Sequence, residues 1–173
     1  MTTILRVGIL TASDRASQGL REDQSGELLK SLAQELPSEV LIHRIVPDEA
    51  AVIADAIIHM VDLLFCNLIL TTGGTGLGLR DVTPEATKTV IRQEIPGIAE
   101  AIRMGGMRRT PAAMLSRGVA GIRGETLIIN LPGSPKAVGE GFEIVRPVIR
   151  HAIELLQGKV KDCQITSHLA HSH

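Results

Sequence analysis

The segment with the clearest chemical potential is a short run rich in glycine. Four glycines fall between Gly73 and Gly78, and three threonines accompany them: Thr71, Thr72 and Thr75. Glycine adopts positive φ without strain, so this backbone can approach a ligand closely and present consecutive N–H groups to an anion. We expect phosphate to be that anion. The alternative is a flexible turn that binds no ligand.

This run differs from two common phosphate-binding motifs. No G-K-[ST] follows Gly74 at the spacing of a Walker A loop. Leu79 stands where a dinucleotide fingerprint needs its third glycine. The run therefore predicts phosphate binding of another kind.

Two aspartates are placed to hold a divalent cation. Asp48 follows the second predicted strand, and Asp81 follows the glycine-rich run. Mg²⁺ is typically bound by one or two carboxylates together with substrate phosphate oxygens and water. The pair therefore fits a magnesium site beside a phosphate. Two simpler interpretations stay open: Asp48 as the N-cap of the next helix, and Asp81 as a surface ion-pair partner of Arg80.

Ser134 and Lys136 mark a second candidate anion site. Ser134 precedes Pro135, which indicates a helix start, and a helix N-terminus presents free N–H groups and a partial positive charge. A well-capped helix without a ligand is the alternative. A further polar loop follows the first predicted strand and contains Ser13, Asp14, Ser17 and Asp23.

Two other groups of polar residues give weaker signals. Basic residues concentrate near mid-chain at Arg103, Arg108, Arg109 and Arg117. They would attract an anionic substrate or, alternatively, form a solvated helix face. Histidines stand near the C-terminus at 168, 171 and 173. We expect these to belong to a disordered tail and not to a metal site.

Hydrophobic patterning predicts strands that alternate with helices. Apolar runs predict strands at Ile4–Leu10, Val40–Val46, Leu68–Thr71 and Leu127–Leu131. Helical spacing predicts five helices. Two are expected over 28–36 and 98–109. The other three should begin at a capping residue: at Asp48, running through Leu64; at Thr83, with Pro84 in the first turn; and at Ser134, running to Leu156. Pro147 should kink the last helix or end its first half.

This alternation is typical of an α/β fold, a three-layer α/β/α sandwich around a mostly parallel sheet. We expect a single domain over 1–158, followed by a polar tail over 159–173. Ligands bind beyond the carboxyl ends of the strands in such sheets. Three segments that follow strands should therefore converge on one crevice: Thr11–Asp14, Thr71–Asp81 and Asn130–Ser134.

The overall composition excludes several classes of function. The 173 residues carry 18 basic and 19 acidic side chains, a net charge of −1, so bulk charge does not indicate a nucleic-acid binder. With two Phe, no Trp and no Tyr, base stacking on aromatic rings is excluded as a binding mode. Any flat ring would have to be held by aliphatic side chains and backbone groups.

The two cysteines and the absence of targeting patterns predict a cytoplasmic protein. Cys66 and Cys163 form no C-x-x-C pair, which favours a reducing compartment over a disulfide or zinc scaffold. Cys66 lies in an apolar run and is expected in the core. Neither a signal-peptide pattern nor an apolar run of about 18 residues is present, so we expect no membrane association.

The segments singled out above together resemble a known family. They are S-D-R-A-S at 13–17, P-D-E at 47–49, T-T-G-G-T-G at 71–76, R-D-V-T-P-E-A-T at 80–87 and N-L-P-G-S-P-K at 130–136. In this order they resemble the Mog/MoaB family of molybdenum cofactor biosynthesis, from Leu5 to about Gly158. Within the family the chain is most similar to the Mog branch. It keeps both aspartates, whereas MoaB-branch members can lack the one matching Asp48.

The resemblance implies a fold of the molybdopterin-binding-domain kind and molybdopterin adenylyltransferase activity. In that reaction the AMP moiety of ATP is transferred to the terminal phosphate of molybdopterin, with release of pyrophosphate and with Mg²⁺ as the cofactor. A phosphate monoester has a second pKa of about 6, so the acceptor is already ionised at neutral pH. The reaction therefore needs no side-chain nucleophile and no strong general base.

The resemblance also assigns roles to residues. Asp48 and Asp81 would be catalytic and would hold Mg²⁺. ATP phosphates would be bound by Thr72, Gly73, Gly74, Thr75 and Gly76. Molybdopterin would be bound by Ser13, Asp14, Ser17, Ser116, Asn130, Pro132, Gly133, Ser134 and Lys136.

Two alternative functions stay open at this point. One is a non-catalytic molybdopterin-binding or carrier protein of the MoaB type, and the other is a nucleotide pyrophosphatase similar to the CinA-type domain. The resemblance further implies a homotrimer and a downstream molybdenum-insertion protein as a partner.

Overall fold

The computed structural model describes residues 3–160. In this part of the chain the strands are β1 Leu5–Ala12, β2 Ser38–Val46, β3 Leu68–Thr72, β4 Gln93–Glu94, β5 Ala120–Arg123 and β6 Thr126–Leu131. The helices are α1 Asp14–Ser17, α2 Gln24–Gln34, α3 Ala50–Ile58, α4 Thr83–Val90, α5 Pro96–Met107 and α6 Pro135–Leu156. A π-helical turn, His59–Leu63, extends α3, and a 3₁₀ turn, Pro111–Leu115, follows α5. The three C-terminal histidines and Cys163 lie outside the described residues.

The strands form one sheet in the order β2-β1-β3-β6-β5-β4. The pairs β1–β2, β1–β3 and β3–β6 are parallel, which confirms the predicted mostly parallel sheet. The pairs β5–β6 and β4–β5 are antiparallel, and the two short strands β4 and β5 were not predicted. Since β1, β3 and β6 run in the same direction, their carboxyl ends lie along one edge of the sheet.

Helices cover both faces of the sheet, as the predicted three layers require. Along β1, Leu5, Val7 and Ile9 point to one face, where α2 and α6 pack. Leu10 and Ala12 point to the other face, where α3 and α4 pack. The core is almost wholly aliphatic, with Phe142 of α6 among its largest buried side chains.

Two helix starts differ from the prediction and one agrees with it. Ser134 caps α6, because its hydroxyl accepts a hydrogen bond from the Ala137 N–H at 3.3 Å. Thr83 does not cap α4; Val82 is the N-cap and Thr83 is already helical. The predicted cap at Asp48 is also wrong, since α3 begins after Glu49 without a side-chain cap.

Of the two alternatives predicted for Pro147, a kink or an end of the helix, the end is wrong, because α6 continues through this residue. A proline inside a helix removes one backbone hydrogen bond. Here Val145 and Ile149 are buried on either side of it, and their packing against the sheet holds both halves of the helix in place.

Cys66 is confirmed as a core side chain. It is buried, and its burial raises the pKa of the thiol to about 11, which makes it chemically inert. Within residues 3–160, no helix is both long and apolar enough to cross a bilayer.

Candidate functional site

Two cavities open beyond the carboxyl ends of β1, β3 and β6, and they share three residues. Their volumes are about 380 Å³ and about 350 Å³, within the range of small-molecule sites. Gly74, Asp81 and Gly133 line both. The three predicted segments therefore do converge on one crevice, which is divided in two.

The cavities differ in chemistry. We call the larger one the apolar cavity. Most of its lining is aliphatic and includes Ile102, Ala113, Leu115, Pro132, Ala137 and Ile144. Its lining also includes Gly76 and the polar residues Thr75, Arg103, Ser116 and Glu140. We call the smaller one the polar cavity; its lining includes Thr11, Ser13, Asp23, Ser25, Asp48, Thr72, Gly73 and Ser134. A ligand that spans Gly74 and Gly133 would contact both.

The glycine-rich run is packed tightly against neighbouring backbone. Gly73 and Gly74 have φ values of +91° and +64°, a region that side chains disfavour. A Cβ atom placed on Gly73 would lie 2.2 Å from the carbonyl oxygen of Ala12. Thr72 fixes the start of the run by donating its hydroxyl hydrogen to the carbonyl of Pro132 at 2.7 Å. Only glycine satisfies this geometry.

One carboxylate oxygen of Asp48 is bound by Asp14, and the other faces the glycine-rich run. Its Oδ2 accepts a hydrogen bond from the Asp14 N–H at 2.8 Å, and its own N–H donates to Asp14 Oδ1 at 3.0 Å. Its Oδ1 faces the glycine-rich run, 3.2 Å from where a Cβ on Gly74 would lie. Burial raises the pKa of Asp48, and the negative charges of Asp14 and Asp81 raise it further.

Asp81 lies at the junction of the two cavities. Its Oδ2 accepts a hydrogen bond from the Gly78 N–H at 2.7 Å, which closes a tight turn after the run. Arg80 does not pair with it: the Arg80 guanidinium reaches Asp14 at 2.9 Å and lowers the pKa of Asp14. The interpretation of Asp81 as the ion-pair partner of Arg80 is therefore wrong.

Two helix N-termini border the polar cavity. Helix α6 presents Ser134 and Pro135, and helix α2 presents its N-cap Asp23 together with Ser25. Ser25 joins the two helices by donating its hydroxyl hydrogen to the Gly133 carbonyl at 2.6 Å. The free N–H groups and partial positive charge of both helices favour an anion here.

Beneath α2 lies a buried polar cluster that the sequence did not reveal. Thr11 donates its hydroxyl hydrogen to Asp23 Oδ2 at 2.6 Å, and His43 Nε2 lies 2.8 Å from the same oxygen. Burial raises the pKa of Asp23, but these hydrogen bonds and one from the Gly26 N–H outweigh it, so the pKa is lowered overall. The Asp-x-x-Gly spacing is a sequence signal for the cap; His43 has none.

The side chain of Asn130 makes its hydrogen bonds within the protein interior. Its amide donates hydrogen bonds to the hydroxyls of Thr71 and Thr87, both at 3.0 Å, and its Oδ1 accepts from the Val119 N–H at 3.2 Å. It is 3 % exposed. It therefore holds β3, β6 and α4 in register beneath the site, and we expect any contribution to ligand binding to be indirect.

The remaining predicted residues divide between the cavities and their surroundings. Ser116 lines the apolar cavity, where Arg103 donates to the backbone carbonyls of Ser116 and Gly118. Asp14, Ser17 and Lys136 are not among the residues that line either cavity. Asp14 acts on the site through Asp48, while Ser17 at the end of α1 and Lys136 in the first turn of α6 are exposed.

Comparison with known proteins identifies the family. Residues 8–151 match the family described as a probable molybdopterin binding domain. The chain is 46% identical to a molybdopterin adenylyltransferase of Helicobacter pylori (strain J99), over 89% of each chain. It is 40% identical to the molybdopterin adenylyltransferase of Escherichia coli K12, covering 89% of this chain and 86% of that one.

Solved structures agree. The molybdopterin biosynthesis enzyme MoaB of Thermus thermophilus is 48% identical and superposes with a TM-score of 0.85, covering 90% of this chain and 98% of that one. The similarity in fold and the similarity in sequence thus cover most of the same chain. The chain belongs to the family of molybdopterin-binding domains of molybdenum cofactor biosynthesis.

Proposed function

We propose that this protein transfers the AMP moiety of ATP to the terminal phosphate of molybdopterin and releases pyrophosphate. The observation that carries the proposal is the meeting of two cavities of similar size at Gly74, Asp81 and Gly133. A transferase that acts on two substrates needs two adjoining binding sites, so that the reacting groups of the bound substrates can meet. The relatives named molybdopterin adenylyltransferase support the same reaction.

In this proposal each cavity takes one ring system, and the phosphates of both substrates meet at the shared residues. The apolar cavity offers aliphatic side chains to a flat heterocycle, and Ser116 and Arg103 are among its polar lining residues. The polar cavity offers the two helix N-termini and the glycine-rich run, all suited to phosphate. Binding both reactants in this way converts a two-molecule reaction into one within a complex.

The polar cavity fits a magnesium ion that is shared with phosphate. Four carboxylates line it, those of Glu22, Asp23, Asp48 and Asp81, against the one guanidinium of Arg21. Their excess negative charge would repel phosphate unless a cation lay between. Asp48 Oδ1 faces Gly74. The buried hydroxyl of Thr83 also faces Gly74, and it finds no hydrogen-bond partner among residues 3–160.

We propose that Asp48 and Asp81 hold this ion. In the described part of the chain, no three His, Cys, Asp or Glu side chains group closely enough to bind a metal by themselves. The ion would therefore take its other ligands from substrate phosphates and water, as Mg²⁺ commonly does. When bound, it would neutralise charge on the phosphates as pyrophosphate leaves.

The chain's own residues would bind and align the reactants. Backbone N–H groups of the run at 73–76 would hold phosphate near the reacting centre, and Ser134 would keep the N-terminus of α6 directed at it. The acceptor phosphate, ionised at neutral pH, attacks the α-phosphorus of ATP, and the bond to pyrophosphate breaks. Catalysis then consists of alignment and charge stabilisation.

The proposal is tested by incubating the purified protein with molybdopterin, ATP and Mg²⁺ and separating the products by chromatography. We expect adenylylated molybdopterin only when all three are present. Asp81→Asn should lower kcat by about 10²-fold while molybdopterin still binds. Asp62→Asn is the matched control, because Asp62 pairs with Arg123 outside both cavities and should keep normal turnover.

Two other outcomes would favour the alternatives. Tight molybdopterin binding with no nucleotide-dependent product would indicate a carrier protein. AMP or pyrophosphate released without any molybdopterin would indicate a nucleotide hydrolase.

We also propose that the chain is a cytoplasmic homotrimer that passes its product to a molybdenum-insertion protein. Exposed apolar side chains, among them Leu79, Met104 and Met114, support a surface that is covered in the assembly. Sedimentation at micromolar concentration should give three times the mass of one chain. A monomer would contradict the trimer without affecting the proposed reaction.

A further inference from the structure

Arg117 binds both ends of the loop that carries Asp81. Its backbone N–H donates to the carbonyl of Thr75 at 2.9 Å, and its Nε donates to the carbonyl of Gly76 at 2.7 Å. One Nη group donates to the backbone carbonyl of Asp81, and the other pairs with Glu85 in the first turn of α4. One side chain therefore connects the glycine-rich run, the Asp81 turn and the helix that follows.

This arrangement differs from both sequence-based expectations for the mid-chain arginines. Arg117 lies on neither a solvated helix face nor the lining of either cavity. Its side-chain hydrogen bonds go to two backbone carbonyls and to Glu85, so three of the five guanidinium N–H donors are occupied by the protein itself. Its side chain is 35 % exposed, which leaves the contacts partly shielded from water.

The planar guanidinium is necessary for this set of contacts. Three donors leave it in different fixed directions, toward Gly76, Asp81 and Glu85. A lysine ammonium carries a similar charge but cannot reach three such acceptors at once. The Asp81 carboxylate is fixed by the Gly78 N–H, and the Asp81 backbone is fixed by Arg117. Together these two contacts fix the position of the Asp81 carboxylate relative to the cavities.

We propose that Arg117 is a positioning residue that holds the Asp81 loop, residues 76–81, in its phosphate- and cation-binding conformation. The mechanistic part rests on the proposed function, in which Asp81 contributes to a magnesium site. Arg117 acts through the backbone of this loop and touches neither substrate. Its loss should therefore weaken Mg²⁺ binding and lower turnover, and should affect the binding of molybdopterin less.

The experiment compares Arg117→Lys with Arg123→Lys. Arg123 is a close structural match: its side chain is 31 % exposed, pairs with Asp62 at 2.7 Å and donates to the carbonyl of Val90 at 3.1 Å. It lines neither cavity. Amide hydrogen exchange of the ligand-free protein and the Mg²⁺ dependence of turnover are measured for both variants.

In Arg117→Lys we expect amides of residues 75–82 to exchange about tenfold faster, the half-saturating Mg²⁺ concentration to rise about tenfold, and kcat to fall by at least about tenfold. KM for molybdopterin should stay within about twofold. Arg123→Lys should leave all four unchanged. Equal exchange and equal Mg²⁺ dependence in the two variants would overturn the proposal.

Glu85→Gln provides a second, milder variant should Arg117→Lys fail to fold. It removes the carboxylate that anchors Arg117 and leaves the two carbonyl contacts in place. We expect faster exchange at 75–82, by about threefold, and unchanged exchange there would overturn the proposal. If the unmodified protein forms no adenylylated product, the proposed function fails, and the exchange data alone decide whether Arg117 holds the loop.

Discussion

Replacing Gly73 with alanine tests whether the glycine-rich run works through its backbone geometry. Gly73 combines a φ of +91° with close contact to the carbonyl of Ala12. Gly124, in the turn between β5 and β6, provides the matched control, because its φ is +58° and a Cβ there would meet nothing within 4 Å. The two alanine variants share backbone strain and differ in the clash.

The expected magnitudes follow from these contacts. Alanine in the left-handed region costs about 1–2 kcal/mol, so both variants should lose a few degrees of Tm. At Gly73 the new methyl would lie 2.2 Å from a backbone oxygen that cannot rotate away. The run must therefore retreat by about 1 Å, and a misplacement of that size costs about 10²-fold in rate. This corresponds to about 2.7 kcal/mol of transition-state stabilisation.

The assays are thermal unfolding and steady-state formation of adenylylated molybdopterin. We expect Gly73→Ala to lower kcat by about 10²-fold and Gly124→Ala to change it by less than about twofold. Equal kcat values in the two variants would refute the reasoning, because they would show that the close approach of Gly73 to Ala12 has no bearing on catalysis.

Three further predictions concern the cavities and their carboxylates. Burial raises the pKa of Asp48, so its ionisation disfavours the folded state once pH exceeds the carboxyl's ordinary pKa. Asp48→Asn should therefore raise Tm at neutral pH while turnover falls, as calorimetry and the product assay would show. Ala137→Leu fills part of the apolar cavity and should raise KM about tenfold for one substrate only; unchanged values for both would contradict the division into two sites. The pKa of Asp23 is lowered despite burial, so its ionised carboxylate stabilises the folded state at pH values above the ordinary carboxyl pKa. This stabilisation is lost as pH falls below that value. In Asp23→Asn, the decrease in Tm on acidification should therefore become shallower.

Much of the fold was predictable because its signals are local. Apolar runs predicted β1, β2, β3 and β6, and the prolines and glycines between them predicted where the chain turns. Strands β4 and β5 were missed because each is short; β4 has only two residues, and both are exposed. Their pairing depends on the neighbouring strand and not on their own composition.

The loops that form the site were predictable from the sequence, but most of the side-chain contacts within it were not. The convergence of three segments follows from parallel topology alone, and it was correct. Asp48 was expected to cap a helix, but its carboxylate binds the N–H of Asp14, 34 residues earlier in the chain. His43 and Arg117 likewise act through partners distant in sequence, Asp23 and Gly76. Such contacts form only when strands and loops have been assembled, so single-residue patterns do not reveal them.

The most direct test of the proposed function is to follow the α-phosphorus of ATP. The protein is incubated with molybdopterin, Mg²⁺ and ATP carrying a labelled α-phosphate, and labelled molybdopterin and free pyrophosphate are measured together. We predict equal amounts of both, at a rate that falls in Asp81→Asn and not in Asp62→Asn. Label recovered only as ATP or free AMP, with molybdopterin present and unlabelled, would contradict adenylyl transfer.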